Sequence, residues 1–151
     1  MIYGDTSFLF SLYAEDANSA KADRLYHSDR RRPLVLTPWQ RFEFRNAVRL
    51  AAHEFIRSKK PVPFNIGNVL KQQDDDLKSG VLRHVEPDWR DTFKLAEQIS
   101  AAHTEAHGQG GVDTWHIAAA LICRADSFWT FDKEQAETAL AFGGFKRVMS
   151  G

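Results

Sequence analysis

With one cysteine in 151 residues, the chain can form neither an internal disulfide nor a thiolate metal cage. That residue, Cys123, adjoins the apolar run 117–122, where a buried small hydrophobe is the expectation. A membrane-spanning helix needs ~20 consecutive apolar residues, and no run approaches that length. Met1-Ile2-Tyr3-Gly4-Asp5 meets an acid before the charged and apolar regions of a signal peptide could form. These absences predict a soluble, cytoplasmic protein. An excess of charge is missing too. Twenty basic residues balance twenty acidic ones, so no overall field steers a polyanion toward the surface. Contact with nucleic acid would have to be local. The candidate patches are Arg30-Arg31-Arg32, Lys59-Lys60, and the pair Arg41 and Arg45, which share a helix face; each also reads as solvated surface. Repeats, linkers and low-complexity tracts are absent, and 43% hydrophobic content is ample for one core, so one domain covering residues 1–151 is expected.

The order of elements is informative. Residues 1–5 read as a short strand, with Thr6 or Ser7 as the N-cap of an apolar helix through Phe8, Leu9, Phe10, Leu12 and Tyr13. A helix over 19–27, a buried strand over 34–37 ended by Pro38, and a helix over 39–58 follow. Pro61 and Pro63 end the last of these. Further along come a helix over 65–78 stopped by Gly80, a strand over 81–85 and a helix from 88 to about 107. Gly108-Gln109-Gly110-Gly111 reads as a flexible connection to a helix that starts at Val112 or Asp113 and ends near Arg124. A strand over 127–131, a helix over 132–140 and a closing strand over 145–148 complete the chain. Parallel strands need crossover helices, so this alternation predicts an α/β three-layer sandwich around a mainly parallel sheet of four or five strands.

In such folds ligands gather beyond the carboxyl ends of the strands, which singles out acids placed there. Asp5 follows the first strand and Asp132 the strand at 127–131, while Asp113 opens the helix after the glycine loop. Each has a structural alternative. Asp113 reads equally as an N-cap, and Asp132 with Gln135 matches a capping box in all but the hydroxyl residue. Asp5 resists that explanation, because Thr6 or Ser7 can cap the helix without it, and an acid closing an apolar strand loses hydration. Glu43 lies on the core-facing side of its helix, opposite Arg41 and Arg45. Converging carboxylates repel one another unless a cation compensates, and an all-oxygen set suits magnesium or manganese better than zinc.

Gly4-Asp5-Thr6-Ser7-Phe8-Leu9 resembles the opening motif of PIN domains. The stretch from Val112-Asp113-Thr114-Trp115-His116 through Ile117-Ala118-Ala119-Ala120-Leu121 is similar to that family's second signature, an acid opening an alanine-rich helix. Thr130-Phe131-Asp132 resembles the Thr-x-Asp of the third, and Glu43 occupies the place of the family's glutamate. Order and spacing cover nearly the whole chain, and its size is like that of the VapC-like toxins within the family. The resemblance implies a ribonuclease in which Asp5, Glu43, Asp113 and Asp132 are catalytic. Asp5, Asp113 and Asp132 would ligate Mg2+ or Mn2+, Glu43 would position a water or a second ion, and Thr6, Ser7 and Thr130 would hold the carboxylates by hydrogen bonds. It also implies a homodimer and a small antitoxin that blocks the acidic site, although PIN domains also serve RNA processing. Segment 58–80 matches no motif.

Other readings compete. An aspartyl-nucleophile phosphatase would want a second Asp two residues after Asp5, where Ser7 stands. A non-catalytic module that holds RNA or a protein is a further class. His103 and His107, at i and i+4, could serve zinc but lack an evident third ligand. Asp74-Asp75-Asp76 reads as a solvated helix face, His116 as packed at its helix start, and the four scattered tryptophans as core or interface.

Overall fold

The computed structural model describes residues 1–29 and 32–150, with the backbone but not the side chain of His107. Arg30 and Arg31 therefore lie outside the described residues. In order, the elements are β1 (Ile2–Gly4), α1 (Thr6–Tyr13), α2 (Ser19–Ser28), β2 (Leu34–Leu36), α3 (Pro38–Arg57) and α4 (Ile66–Ser79). Then come β3 (Leu82–His84), α5 (Trp89–His107), α6 (Gly111–Ile122), β4 (Ser127–Trp129), α7 (Lys133–Phe142) and β5 (Arg147–Met149). The five strands form one parallel sheet in the order β3-β2-β1-β4-β5.

The tripeptides Ile-Tyr-Gly, Leu-Val-Leu and Ser-Phe-Trp are buried throughout, as strands covered on both faces must be. Alternation sends their side chains to two separate cores. Ile2, Leu34, Leu36, Leu82 and Trp129 pack with side chains from α1 to α4, including Phe8, Phe44 and Val69. Tyr3, Val35 and Phe128 pack with Ile99, Trp115, Ile117 and Ala139 from α5, α6 and α7. The protein is thus the expected three-layer α/β sandwich. Among the described residues, no helix is long and apolar enough to cross a membrane.

Several local expectations change. Pro38 does not merely end β2: Thr37 and Gln40 form a reciprocal capping box and Pro38 takes the first helical turn, where its missing N–H is no loss. The glycine connection is anchored, because Gln109 is buried and its Oε1 accepts the Thr138 hydroxyl at 2.9 Å. Gly110 caps α6, which begins at Gly111. The Asp74-Asp75-Asp76 run is half-buried, and all three members bind partners: Asp74 pairs with Arg41 and Arg45 at 3.1 and 2.6 Å, Asp75 with Lys71 and Lys78 of its own helix, and Asp76 accepts the Tyr13 hydroxyl at 2.8 Å. That docks α4, the core of the unassigned segment 58–80, and spends both arginines internally. Arg32 is spent likewise, on Asp29 and Asp126. Burial opposes the Asp126 charge, but Arg32, the terminal ammonium and Ser127 together bring its pKa down to about 2.

Chain direction matters for the site. From β1 the chain moves outward to β2 and β3, then returns past β1 to β4 and β5, so the order reverses between β1 and β4. Such a switch point leaves a crevice beyond the carboxyl ends of the two strands.

Candidate active site

Asp5 and Thr130 follow the two strands that flank the switch point. The Asp5 carboxylate accepts the Phe8 N–H at 2.8 Å, so Asp5 itself, and not Thr6 or Ser7, caps α1. The expected hydroxyl cap fails because both hydroxyls have partners elsewhere. Ser7 Oγ donates to Asp5, lying 2.8 and 2.9 Å from its two oxygens, and accepts Phe131 N–H at 2.9 Å. Thr6 Oγ1 donates to Glu43 Oε2 at 2.6 Å. Thr130 Oγ1 donates to Asp5 Oδ2 at 2.8 Å while accepting Asp132 N–H at 2.9 Å. Asp5 is 5% exposed, and among the described residues no lysine or arginine pairs with it. Burial pushes its pKa up, and the His116 imidazole, the Phe8 N–H and the two hydroxyls offset only part of that.

Glu43 is positioned by the start of α3. Gln40 both completes the Thr37 capping box and donates from Nε2 to the Gly4 carbonyl at 2.7 Å, tying that helix start to the end of β1. One turn on, Glu43 Oε2 lies 2.6 Å from His116 Nε2, and His116 Nδ1 lies 2.9 Å from the Tyr3 hydroxyl. The imidazole therefore bridges the two, with Nε2 toward Glu43 and Nδ1 toward Tyr3. Tyr3 stays a donor, since burial first, and then Cys123, Glu43 and Asp5, push its pKa well up. Burial works against the charge of Glu43, whose side chain is 24% exposed, but the His116 hydrogen bond and charge and the Thr6 hydroxyl prevail and hold its pKa below the usual value. The Trp39 indole also helps hold that charge, although its Nε1 makes no hydrogen bond of normal geometry.

The other two acids stand differently. Asp132 is exposed and caps α7 by accepting the Gln135 N–H at 2.9 Å. The reciprocal half of a capping box is missing: Gln135 Nε2 reaches the Asp113 carbonyl at 3.4 Å, and Thr130 takes the Asp132 N–H. Asp113 is not the cap of α6 but lies in its first turn, half-buried, and Gly110 leaves room for it, since a Cβ there would come within 2.9 Å of Oδ2. One connected network therefore joins Asp5, Thr130 and the Asp132 backbone, and Gln135 extends from the Asp132 cap to the Asp113 backbone. A second network joins Thr6, Glu43, His116 and Tyr3. His116 is packed near its helix start as expected, at 2% exposure, but sequence reasoning missed its tie to Glu43 and missed Tyr3 altogether. Their signal was spacing: His116 falls one turn after Asp113 on the same helix, and Tyr3 is the one β1 side chain directed at that helix.

Among the described residues, no three of His, Cys, Asp and Glu stand close enough to form a ready cage for an ion. Zinc wants such a cage. Magnesium is commonly held by one or two carboxylates together with waters and substrate phosphate. A buried Asp5 with no lysine or arginine partner among the described residues, together with an ionised Glu43, is an oxygen-only donor set, and it fits that habit. His103, meanwhile, packs edge-on to Phe142, at 6.2 Å between ring centres, and the His107 side chain lies outside the described residues. Cys123 is buried, as expected, and burial raises its thiol to about 11.

Compared with known proteins, the chain matches no family model, and no curated protein matches it.

Proposed function

We propose that the protein is a divalent-metal-dependent endoribonuclease of the PIN type. The observation that carries this reading is the placement of a buried, hydroxyl-bound Asp5 at the switch point, with Glu43 held beside the same strand by Thr6 and His116. Asp5, Asp113 and Asp132 do not close a three-carboxylate cage by themselves, and they would share Mg2+ or Mn2+ with waters and substrate phosphate. When bound, the ion supplies positive charge for in-line hydrolysis of a phosphodiester. Thr6, Ser7 and Thr130 fix the carboxylates so that little reorganisation is left for the reaction itself. Glu43 is kept ionised and aimed, which suits it to orient a water and accept its proton. Ser7, where an aspartyl phosphatase would carry its second acid, serves here as a donor to Asp5.

The purified protein is expected to cleave RNA only with added Mg2+ or Mn2+, and to stop on addition of EDTA. Cleavage that survives the chelator would refute the assignment. The narrower reading, a cytoplasmic toxin that forms a homodimer and is silenced by a small antitoxin over the acids, follows the motif resemblance. Inducing the chain alone in a bacterial host is expected to arrest growth; unimpaired growth at confirmed expression would favour RNA processing.

A further inference from the structure

Three of the four tryptophans meet in space, and two of them stand on the helices that carry Glu43 and Asp113. Trp39 from α3 lies 5.5 Å from Trp115 of α6, tilted by 50°, and Trp115 stacks on Trp89 of α5 at 5.8 Å and 24°. Trp89 is held in turn by its indole N–H donating to Glu86. Together with Phe93, Ala96, Gly111 and Val112, Trp39 and Trp115 line an open groove of about 360 Å³. Phe93 is 60% exposed and Val112 44%, although both are large and apolar.

We propose that this groove is a stacking platform for a base of single-stranded RNA, adjoining the phosphodiester that the acids receive. The inference rests on the nuclease reading of those acids. Continuity is the first argument: Trp39 precedes Glu43 by one helical turn, Val112 precedes Asp113, and the Trp115 ring lies 5.6 Å from the His116 ring that holds Glu43. Charge is the second. The protein carries no net charge, and Arg32, Arg41 and Arg45 are engaged by aspartates, so contacts other than phosphate pairing gain weight in binding a polyanion. Trp115 is only 5% exposed, so the aromatic surface on offer is that of Phe93 and the half-buried Trp39, and such surfaces contact any base with little preference among sequences. Lys94, exposed and without an ion pair among the described residues, lines the depression that continues from Phe93 and Ala96, and it suits a neighbouring phosphate. Only unpaired strands offer a base face, because a duplex buries its faces in the stack.

The test uses the whole chain and a single-stranded oligoribonucleotide, alongside copies in which one nucleotide at a time is abasic. Phe93→Ala and Val112→Ser alter exposed side chains and leave the four acids in place, and Leu140→Ser on α7, also exposed, is the control. Phe93→Ala is expected to raise KM about tenfold, with a smaller loss in kcat, as the removal of one base–aromatic contact should. A single abasic position should produce the same loss in the wild type and no further loss in Phe93→Ala, and binding should quench tryptophan fluorescence. Unchanged KM in both groove variants, with cleavage intact, overturns the platform and spares the nuclease. Quenching that depends on Phe93, without cleavage under any divalent ion, supports the platform and overturns the nuclease. A change of mass in solution in the groove variants at unchanged KM makes the groove an interface between copies and overturns the platform.

Discussion

Asp5→Asn is expected to lower RNA cleavage by about a thousandfold or more and, in buffer free of divalent ions, to leave the protein more stable than the wild type. The loss follows from removing one carboxylate charge from a site whose bound ion is worth several kcal/mol at the transition state, at about 1.4 kcal/mol per tenfold. The gain follows from burial. Because the folded-state pKa of Asp5 is raised, its protonated form is the one the fold favours; that contribution is fully present below the unfolded carboxylate value and is lost as pH rises through the folded value. Above the folded value the ionised group therefore costs stability, and the isosteric amide removes that cost while one oxygen still caps Phe8. A gain on the order of 1 kcal/mol reads as roughly 2–4 °C in Tm for a chain of this size. The difference should vanish in acid and reverse with saturating Mg2+, which stabilises only the protein that binds it. Thermal melts at several pH values, with and without Mg2+, check the pattern. A large fall in Tm would show that capping outweighs the buried charge, and wild-type cleavage would remove Asp5 from the chemistry.

Gly4→Ala is the substitution expected to disturb the architecture of the site most for the fewest atoms added. A Cβ at residue 4 would sit 2.6 Å from Phe8 Cδ1. The Phe8 ring cannot swing aside, because it is fully buried edge-on to Trp129 at 5.1 Å and stacked with Phe131 at 5.9 Å. Overpacking of that kind costs about 1–3 kcal/mol. Here it also bears on chemistry, since Gly4 carries the carbonyl that Gln40 grips and Phe8 carries the N–H that holds Asp5. The expected result is a lower urea midpoint together with reduced cleavage. Adding Phe8→Leu should restore part of both, by less than additive costs, as touching residues do. If the double variant is simply the sum of the two singles, the steric account fails.

Much of the fold was legible because its signals are local. Leu34-Val35-Leu36 and Ser127-Phe128-Trp129 announce strands buried on both faces, and Gly80 marks the end of α4, while the proline pair follows α3 without marking its last residue. The acids after strands were legible for the same reason. What could not be read was which group satisfies which. Thr6 looks like a cap from its neighbours, yet its partner Glu43 lies 37 positions away on another helix, and that one long-range bond hands the capping role to Asp5. The aromatic groove was hidden likewise, since Trp39, Trp89 and Trp115 come from three helices whose docking no local pattern encodes.

The hydrogen bond from Thr130 to Asp5 closes a span of 125 positions. Pairings of such separation form late and slowly, because the chain between them must be ordered first. During synthesis, β1 leaves the ribosome early and waits, with one edge unmatched, until β4 follows. A chain interrupted before residue 130 therefore carries an acid without the hydroxyl that steadies it. For a protein whose proposed substrate surrounds it at the moment of its own making, the order of assembly delays completion of the centre until residue 130 has emerged.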